Sequence, residues 1–253
     1  MTETAAASHS RPRAGPVLLA VAHGSREPAA QRCIRALATR AGRLMPGITV
    51  RVAFVSHAQP RLDGALAQAV AHHGADRVVI VPLLLSSGYH LSTDIGAAAH
   101  EAGVAAAGPL GPSADLTAAL ADRLAEAAVP AGAPVVLAAA GSSDPRAAGD
   151  TARQAALLAR RLGVPVEPAF ASAAEPSVEQ AVAALSARTG QPVAVASYLL
   201  APGLFHGRLQ QAGAAWASAP LGDHPAVAQV MAARYREAAA TGAGGQTADG
   251  TAA

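Results

Sequence analysis

An internal duplication constrains this 253-residue chain more than any other feature of its sequence. The first half opens with residues 17–28 (VLLAVAHGSREP), and the second half opens with residues 134–145 (PVVLAAAGSSDP). Further landmarks recur in the same order, namely Gly24 and Gly141, Phe54 and Phe170, Pro60 and Pro176, Gly88 and Gly203, and Pro109 and Pro220. Their separation falls slowly from 117 to 111 residues, as small deletions in loops would produce. A period of this length indicates two domain-sized copies rather than a solenoid of short repeats.

The duplication sets the predicted domain boundaries. We expect an N-terminal domain over residues 16–130 that carries the functional site, and a degenerate C-terminal copy over residues 131–238. A junction rich in proline, at residues 130–134, separates the two copies. The segments 1–15 and 239–253 are rich in small residues, so we expect both to be disordered tails.

Within each copy, short apolar runs alternate with helical patterns. The apolar runs of the first copy are residues 17–22, 49–55 and 78–85, and those of the second copy are 135–139, 165–170 and 193–199. This alternation predicts an α/β fold of two similar domains, each a parallel sheet flanked by helices. In such sheets ligands bind outside the carboxyl ends of the strands. We therefore expect functional residues directly after the apolar runs.

The composition argues against several classes of function. The 19 basic residues are all arginine and are spread along the chain, and aromatic residues make up only 3% of it. The sequence therefore offers no basic stripe or stacking platform for nucleic acid. No apolar run approaches the roughly 18 residues that a membrane span needs. Cys33 is the single cysteine, which excludes an internal disulfide and an all-cysteine metal site, and we expect a cytoplasmic protein.

Two histidines follow neighbouring strands of the predicted N-terminal sheet. His23 comes directly after the first strand, before Gly24 and Ser25, and we expect Ser25 to cap the next helix. His90 follows the run at 78–85 and the turn-forming residues 86–89. Each histidine alone also fits a role in its turn. Because both lie at the same edge of one parallel sheet, they can converge on one ligand, and we predict a shared site.

Other polar residues are secondary candidates. Arg26 lies in the first strand-end loop, where a guanidinium suits carboxylate ligands. His57 follows the second strand, and His206 lies near the repeat position of His90. The second copy has Ala140 where the first has His23. We therefore expect its site to be lost and that copy to form the opposing wall of a cleft.

These residues resemble the sirohydrochlorin chelatase family, the CbiX-type class II chelatases, in their two-domain form. The resemblance is carried by residues 22–28 (AHGSREP) and more specifically by residues 81–95 (VPLLLSSGYHLSTDI). In the second motif, a histidine and an aspartate follow an apolar strand at a spacing characteristic of the family. Residues 198–203 (YLLAPG) are similar to the degenerate half of its two-domain members.

The resemblance implies an enzyme that inserts divalent cobalt or ferrous iron into sirohydrochlorin, for cobalamin or siroheme biosynthesis. The metal is a co-substrate, and no organic cofactor is expected. His23 and His90 would be the catalytic and metal-handling pair, because imidazole suits these ions. The tetrapyrrole would contact the two strand-end loops, at Gly24, Ser25, Arg26, Ser86, Ser87, Gly88 and Tyr89.

One position departs from the family pattern. Members often carry a glutamate shortly after the second strand, whereas this chain has Ser56 and His57 there. The third metal ligand or proton acceptor is therefore left open. Because a duplicated chain can enclose its own cleft, we expect a monomer, with a dimer as the alternative.

Three other functions are compatible with parts of the pattern. A non-enzymatic tetrapyrrole or metal carrier would use the same histidines. A histidine phosphatase also has a histidine and a glycine at a strand end. The motif of those enzymes resembles Arg-His-Gly, however, whereas here Ala22 precedes His23. A flavodoxin-like nucleotide binder fits the fold alone, but no glycine-rich phosphate loop follows the first strand.

Overall fold

The computed structural model describes residues 15–88 and 91–244, and the side chains of all of these except residues 91, 92 and 242–244. The N-terminal domain has strands β1 (Val17–Ala22), β2 (Thr49–Phe54), β3 (Val78–Pro82) and β4 (Ala105–Ala106). Its helices are α1 (Pro28–Arg43), α2 (Leu62–His73), α3 (Gly96–Glu101) and α4 (Ala114–Glu126). A short 3₁₀ turn (Ala75–Arg77) precedes β3, and one π-helical turn (Leu91–Ile95) leads into α3.

The C-terminal domain repeats this order of elements. Its strands are β5 (Val135–Ala139), β6 (Val166–Phe170), β7 (Ala194–Tyr198) and β8 (Trp216–Ala217). Its helices are α5 (Pro145–Leu162), α6 (Val178–Thr189), α7 (Leu204–Gln210) and α8 (Pro225–Gly244). The predicted alternation of strands and helices is therefore confirmed in both copies.

Each domain is built on a four-stranded sheet, with strand orders β2-β1-β3-β4 and β6-β5-β7-β8. All the strand pairings in the described part of the chain are parallel. β1 lies between β2 and β3, with Ala22 opposite Phe54 and Val21 opposite Pro82. The residues that follow these three strands therefore leave the sheet at one edge. The predicted fold class, two similar α/β domains with parallel sheets, is confirmed.

The two sheets share one apolar core. Alternate residues of β1 face opposite sides, so Leu18 joins a cluster that also holds Leu137 of β5, whereas Leu19 joins a cluster confined to the outer face. Helices α1, α4, α5 and α8 fill the space between the sheets, with side chains such as Leu120 and Leu158 fully buried. Full burial of each such leucine contributes about 1.5–3 kcal/mol. Separating the domains would expose this shared core.

The two copies repeat each other in backbone detail. The Gln59–Pro60 and Glu175–Pro176 bonds are both cis. His57 and Ala173, at equivalent positions, both have a φ of +56°. These matched features position the turns after β2 and β6 in the same way.

The sequence-based boundaries were wrong at two elements. β3 ends at Pro82, whereas the apolar run continues to residue 85, because Leu83 makes one last backbone hydrogen bond to Val21 of β1 and the chain then leaves the sheet. Helix α8 continues to Gly244, so residues 239–244 are helical and do not belong to a disordered tail. Ala238 is buried and Ala239 packs on the core, which holds this end of the helix. Residues 1–14 and 245–253 lie outside the described part.

In the described part of the chain, every helix is too short or too polar to cross a membrane.

Candidate active site

A cleft of about 940 Å³ lies between the carboxyl ends of the two sheets. The loops after β1 and β3 form one wall, and the loops after β5 and β7 form the other. The strand ends at which we predicted functional residues thus face one cleft. Its lining includes His23, Gly24, Ser25, Arg26, Ser86, Ser87, Gly88, His57 and His206.

The turn after β1 determines where His23 lies. Gly24 has a φ of +100°, and a Cβ on it would lie 1.8 Å from the carbonyl oxygen of Ser56. The close approach lets the Ser56 N–H donate to the His23 carbonyl oxygen at 2.8 Å. The Ser56 Oγ also lies 3.5 Å from His23 Nε2. The imidazole is exposed at the rim of the cleft and is held there by its neighbours on the β2 side.

His57 joins His23 because it leaves the alternation of the strand. Its φ of +56° turns the chain after β2, and its ring centroid lies 6.0 Å from that of His23, edge to face. Strand periodicity would have sent neighbouring side chains to opposite faces, so sequence reasoning could only keep His57 as a secondary candidate. The structure brings the two imidazoles together on the N-terminal wall.

The loop after β3 contributes the second part of this wall. Ser86, Ser87 and Gly88 line the cleft. Tyr89 and His90 lie outside the described residues, so the meeting of His23 and His90 stays a prediction. Within the described part of the chain, no group of three or more His, Cys, Asp and Glu side chains is arranged to hold a metal ion.

The loop after β1 differs from expectation in one contact. Ser25 Oγ accepts a hydrogen bond from the Glu27 N–H at 3.1 Å, and Glu27 itself is the N-cap residue of α1. The prediction that Ser25 caps the helix was therefore wrong, although Pro28 does occupy its first turn. Ser25 instead tightens the loop, and Gln31 Nε2 donates to its carbonyl oxygen at 2.9 Å.

The C-terminal wall is less polar. Ala140 occupies the place of His23, and Leu204 and Phe205 are exposed apolar side chains at the rim. The guanidinium of Arg208 lies 5.8 Å from the Phe205 ring centroid. His206 reaches this wall, with Nε2 3.3 Å from the Ser218 carbonyl oxygen of the same domain. The two walls thus differ in chemistry, with the paired imidazoles of His23 and His57 on one side and exposed apolar groups beside the single imidazole of His206 on the other.

The walls approach each other at two glycines. A Cβ on Gly88 would lie 3.4 Å from Ser142 Oγ, and a Cβ on Gly203 would lie 3.8 Å from Glu27 Oε1. Gly88 and Gly203 are repeat partners, so each domain approaches the other through the loop after its third strand. Glu27 supplies a carboxylate there, a role that sequence reasoning missed although the residue stands in the same motif as His23.

Two further residues that contact the loop after β3 were not predicted as site residues. Tyr198 ends β7 and donates its hydroxyl to the Leu85 carbonyl oxygen at 2.8 Å. Burial, aided by the nearby Asp150 charge, raises the pKa of Tyr198 well above its usual range. The hydroxyl therefore stays a donor at neutral pH. Asp150 of α5 accepts a hydrogen bond from the Ser87 N–H at 2.7 Å.

Two solved structures share this architecture over almost the whole chain. SirB from Bacillus subtilis with Fe³⁺ has a TM-score of 0.78 and 26% identity, covering 92% of this chain and 98% of SirB. The sirohydrochlorin chelatase SirB from Bacillus subtilis subspecies spizizenii in complex with cobalt has a TM-score of 0.75 and 25% identity, covering 91% and 97%. The fold and its cleft define a two-domain α/β protein of the chelatase class.

The sequence also matches a family within this class. The CbiX family model matches twice, over residues 17–127 and 134–238, and the chain belongs to the CbiX family. The sirohydrochlorin cobaltochelatase of Methanosarcina acetivorans is 31% identical over 78 residues, which are 31% of this chain and 59% of that protein. That of Methanopyrus kandleri is 33% identical over 75 residues, or 30% and 52%. The chain therefore spans little more than half the length of these curated relatives.

Proposed function

We propose that this chain is a sirohydrochlorin chelatase, which inserts divalent cobalt or ferrous iron into the tetrapyrrole. The observation that carries the proposal is the cleft between the two copies, with His23 on its rim. Membership of the CbiX family and the likeness to SirB, solved with Fe³⁺ and with cobalt, support the same activity. Insertion replaces two pyrrole N–H protons by the metal ion, so the protein must deliver a cation and remove two protons.

His23 and His90 are the proposed pair that handles the metal. Imidazole binds cobalt and iron, and two such ligands hold an ion less firmly than a closed cage of four, which leaves it free for transfer. A neutral imidazole also accepts a proton near neutral pH. His57, whose ring centroid lies 6.0 Å from that of His23, is the proposed further ligand or proton acceptor in place of the family's glutamate.

The cleft offers separate surfaces for the two parts of the substrate. The apolar wall with Leu204 and Phe205 suits one face of the flat ring, while the imidazoles address the other face. The carboxylates of sirohydrochlorin are proposed to meet Arg26 and the backbone groups of the two N-terminal loops, at Gly24, Ser25, Ser86, Ser87, Gly88 and Tyr89. His206 is proposed as an additional contact from the opposing wall.

The proposed working form is a monomer in the cytoplasm, with no nucleic-acid or membrane partner. One chain supplies both walls of the cleft, so a second copy is not needed to complete it. The free thiol of Cys33 and the use of ferrous iron both suit a reducing compartment.

Anaerobic insertion kinetics with sirohydrochlorin test the proposal. The wild-type chain should insert Co²⁺ or Fe²⁺ well above the spontaneous rate, and the faster metal identifies the preferred co-substrate. His23→Ala and His90→Ala should each lose about 10²- to 10⁴-fold in rate, the range for removal of an acid–base group. His72→Ala is the matched control, because His72 is exposed at the end of α2 and does not line the cleft.

Wild-type rates in both cleft variants would refute the assigned roles of the histidines. Tight binding of sirohydrochlorin without turnover in the wild-type chain would instead identify a carrier.

A further inference from the structure

The C-terminal domain contacts the main chain of the cleft loop that follows β3. Asp150 is only 4% exposed, and its Oδ2 accepts a hydrogen bond from the Ser87 N–H at 2.7 Å. Its other oxygen forms an ion pair with Arg153. A buried carboxylate is costly unless it is paired and hydrogen-bonded. For Asp150, the ion pair and the backbone amide from the other domain together meet that condition.

A second contact holds the same loop two residues earlier. The Tyr198 hydroxyl donates to the Leu85 carbonyl oxygen at 2.8 Å. Gly111 leaves room for this bond, since a Cβ there would lie 2.1 Å from the Tyr198 hydroxyl and 2.5 Å from the Leu85 oxygen. Together, the two bonds fix the backbone of residues 85–87 from the opposite side of the domain interface.

The equivalent loop of the second copy is contacted by different groups. The repeat separation of 117 residues pairs Asp150 with Cys33, and the separation of 115 residues pairs Ser87 with Pro202, which has no N–H to donate. Tyr198 corresponds to Leu83, which has no hydroxyl. Cys33 makes only a 3.5 Å contact from Sγ to the Leu200 carbonyl oxygen. The carboxylate and hydroxyl contacts to a cleft loop are therefore made by the degenerate copy, whereas the copy that carries His23 has a thiol at the equivalent place.

We propose that Asp150, assisted by Tyr198, is a positioning residue that fixes the loop at residues 85–88 as a rigid wall of the active-site cleft. The C-terminal copy would then have two roles, since it closes the cleft and also sets the geometry of its partner's loop. This inference rests on the proposed chelatase function. A loop held in this way presents Ser86 and Gly88 to the tetrapyrrole in one conformation, which lowers the entropic cost of reaching the reactive geometry.

Three variants test the proposal in the full chain. Asp150→Ala removes the acceptor, and we expect kcat/KM for metal insertion to fall about ten- to hundredfold, the effect of misplacing reacting groups by about 1 Å. Asp150→Asn keeps an oxygen that can accept from Ser87, so it should recover activity to within a few-fold of wild type. Gln154→Leu is the matched control, because Gln154 is fully buried on the same helix but bonds Ser113 and Thr117 instead of the loop. It should lower stability and leave kcat/KM unchanged.

Amide hydrogen exchange at Ser87 gives a readout that does not require chelatase activity. The exchange rate of this amide should rise at least about tenfold in Asp150→Ala and stay near wild type in Asp150→Asn and Gln154→Leu. If Asp150→Ala does not fold, Asp150→Cys is used instead, because cysteine is the residue at the equivalent position of the first copy. Equal kcat/KM in Asp150→Ala and Gln154→Leu, or unchanged exchange at Ser87, would overturn the proposal. A wild-type chain that inserts no metal would refute the chelatase function alone, because the exchange data would still decide the role of Asp150.

Discussion

Single glycines set the geometry of the cleft at its strand ends. Gly24 and Gly141 have φ values of +100° and +92°, and a Cβ on either would lie 1.8 Å from a carbonyl oxygen, that of Ser56 or Ser172. In the first copy this close packing carries His23 and His57 to the same wall. In the second copy the same turn carries Ala140 and Ala173, so the backbone of the site has been kept while its imidazoles are absent.

Replacing each glycine by alanine distinguishes its effect on stability from an effect on the position of His23. We expect Gly24→Ala and Gly141→Ala each to lower the free energy of unfolding by at least about 2 kcal/mol, because the left-handed conformation and the carbonyl contact both oppose a Cβ. Urea denaturation measures this loss. Only Gly24→Ala should also lower kcat/KM of the folded enzyme by more than tenfold, because it moves His23. Wild-type stability in Gly24→Ala would contradict the described turn.

From the sequence, His23 was a main candidate and His57 a secondary one, whereas Asp150 was not predicted. His23 was accessible because a short apolar run followed by a glycine marks the end of a parallel strand. The positive φ of His57 turns this residue into the site, and the presence of a histidine in a sequence does not indicate a positive φ. Asp150 acts through a backbone amide 63 residues away in the chain, and no local pattern encodes that contact.

At the scale of elements, the starts of α2 and α6 show how the two copies have diverged. Ser177 caps α6 with a full capping box, in which its side chain accepts from the Gln180 N–H. Arg61 holds the equivalent position before α2 with nearly the same backbone, φ −71° and ψ 151°, but makes no side-chain cap. The first copy therefore lacks the side-chain acceptor that Ser177 supplies to the first turn of α6.

This difference predicts a stabilising substitution. Arg61→Ser should raise the free energy of unfolding by about 0.5–1 kcal/mol, since serine at an N-cap accepts from the first turn of the helix. Arg61→Ala is the control that removes the guanidinium without supplying a cap. Thermal unfolding should show the serine variant about 2–4 °C above the alanine variant. Equal midpoints for the two variants would show that the cap does not form.

Strand positions were predictable where a glycine turn closely follows the apolar run. β1 and β5 begin and end within one residue of the expected positions, because Gly24, Gly141 and their flanking turns follow them closely. β3 was overextended, because Leu83, Leu84 and Leu85 continue its apolar run after the strand ends, with Leu83 and Leu85 packed on the shared core and Leu84 on the outer cluster. Periodicity alone does not distinguish a buried strand from a buried loop.

On the scale of the whole molecule, reciprocal arginine contacts join the two domains. The Arg123 guanidinium of α4 donates to the Leu221 carbonyl oxygen at 2.9 Å, and that of Arg234 of α8 donates to the Pro109 carbonyl oxygen at 2.8 Å. These contacts lie beside the continuous core that both sheets share. The duplicated chain thus builds within itself an interface of the kind that would otherwise require a dimer.

An active monomer is the expected consequence. Light scattering should give the mass of one chain, and the initial rate of metal insertion should stay proportional to enzyme concentration over a hundredfold dilution. A specific rate that falls on dilution would indicate that a second copy contributes to the site.

If the macrocycle binds in the cleft between the copies, a side chain that fills the cleft must weaken its binding. Ala140 lines the C-terminal wall and offers no catalytic group, so any effect of Ala140→Trp on activity must come from the space that the indole takes. The measurement is the affinity for sirohydrochlorin by absorbance titration, with Ala140→Ser as the control and the thermal midpoint as a check on folding. We predict at least about tenfold weaker binding in the tryptophan variant and near wild-type binding in the serine variant. Wild-type affinity and insertion rate in a folded Ala140→Trp protein would contradict the account.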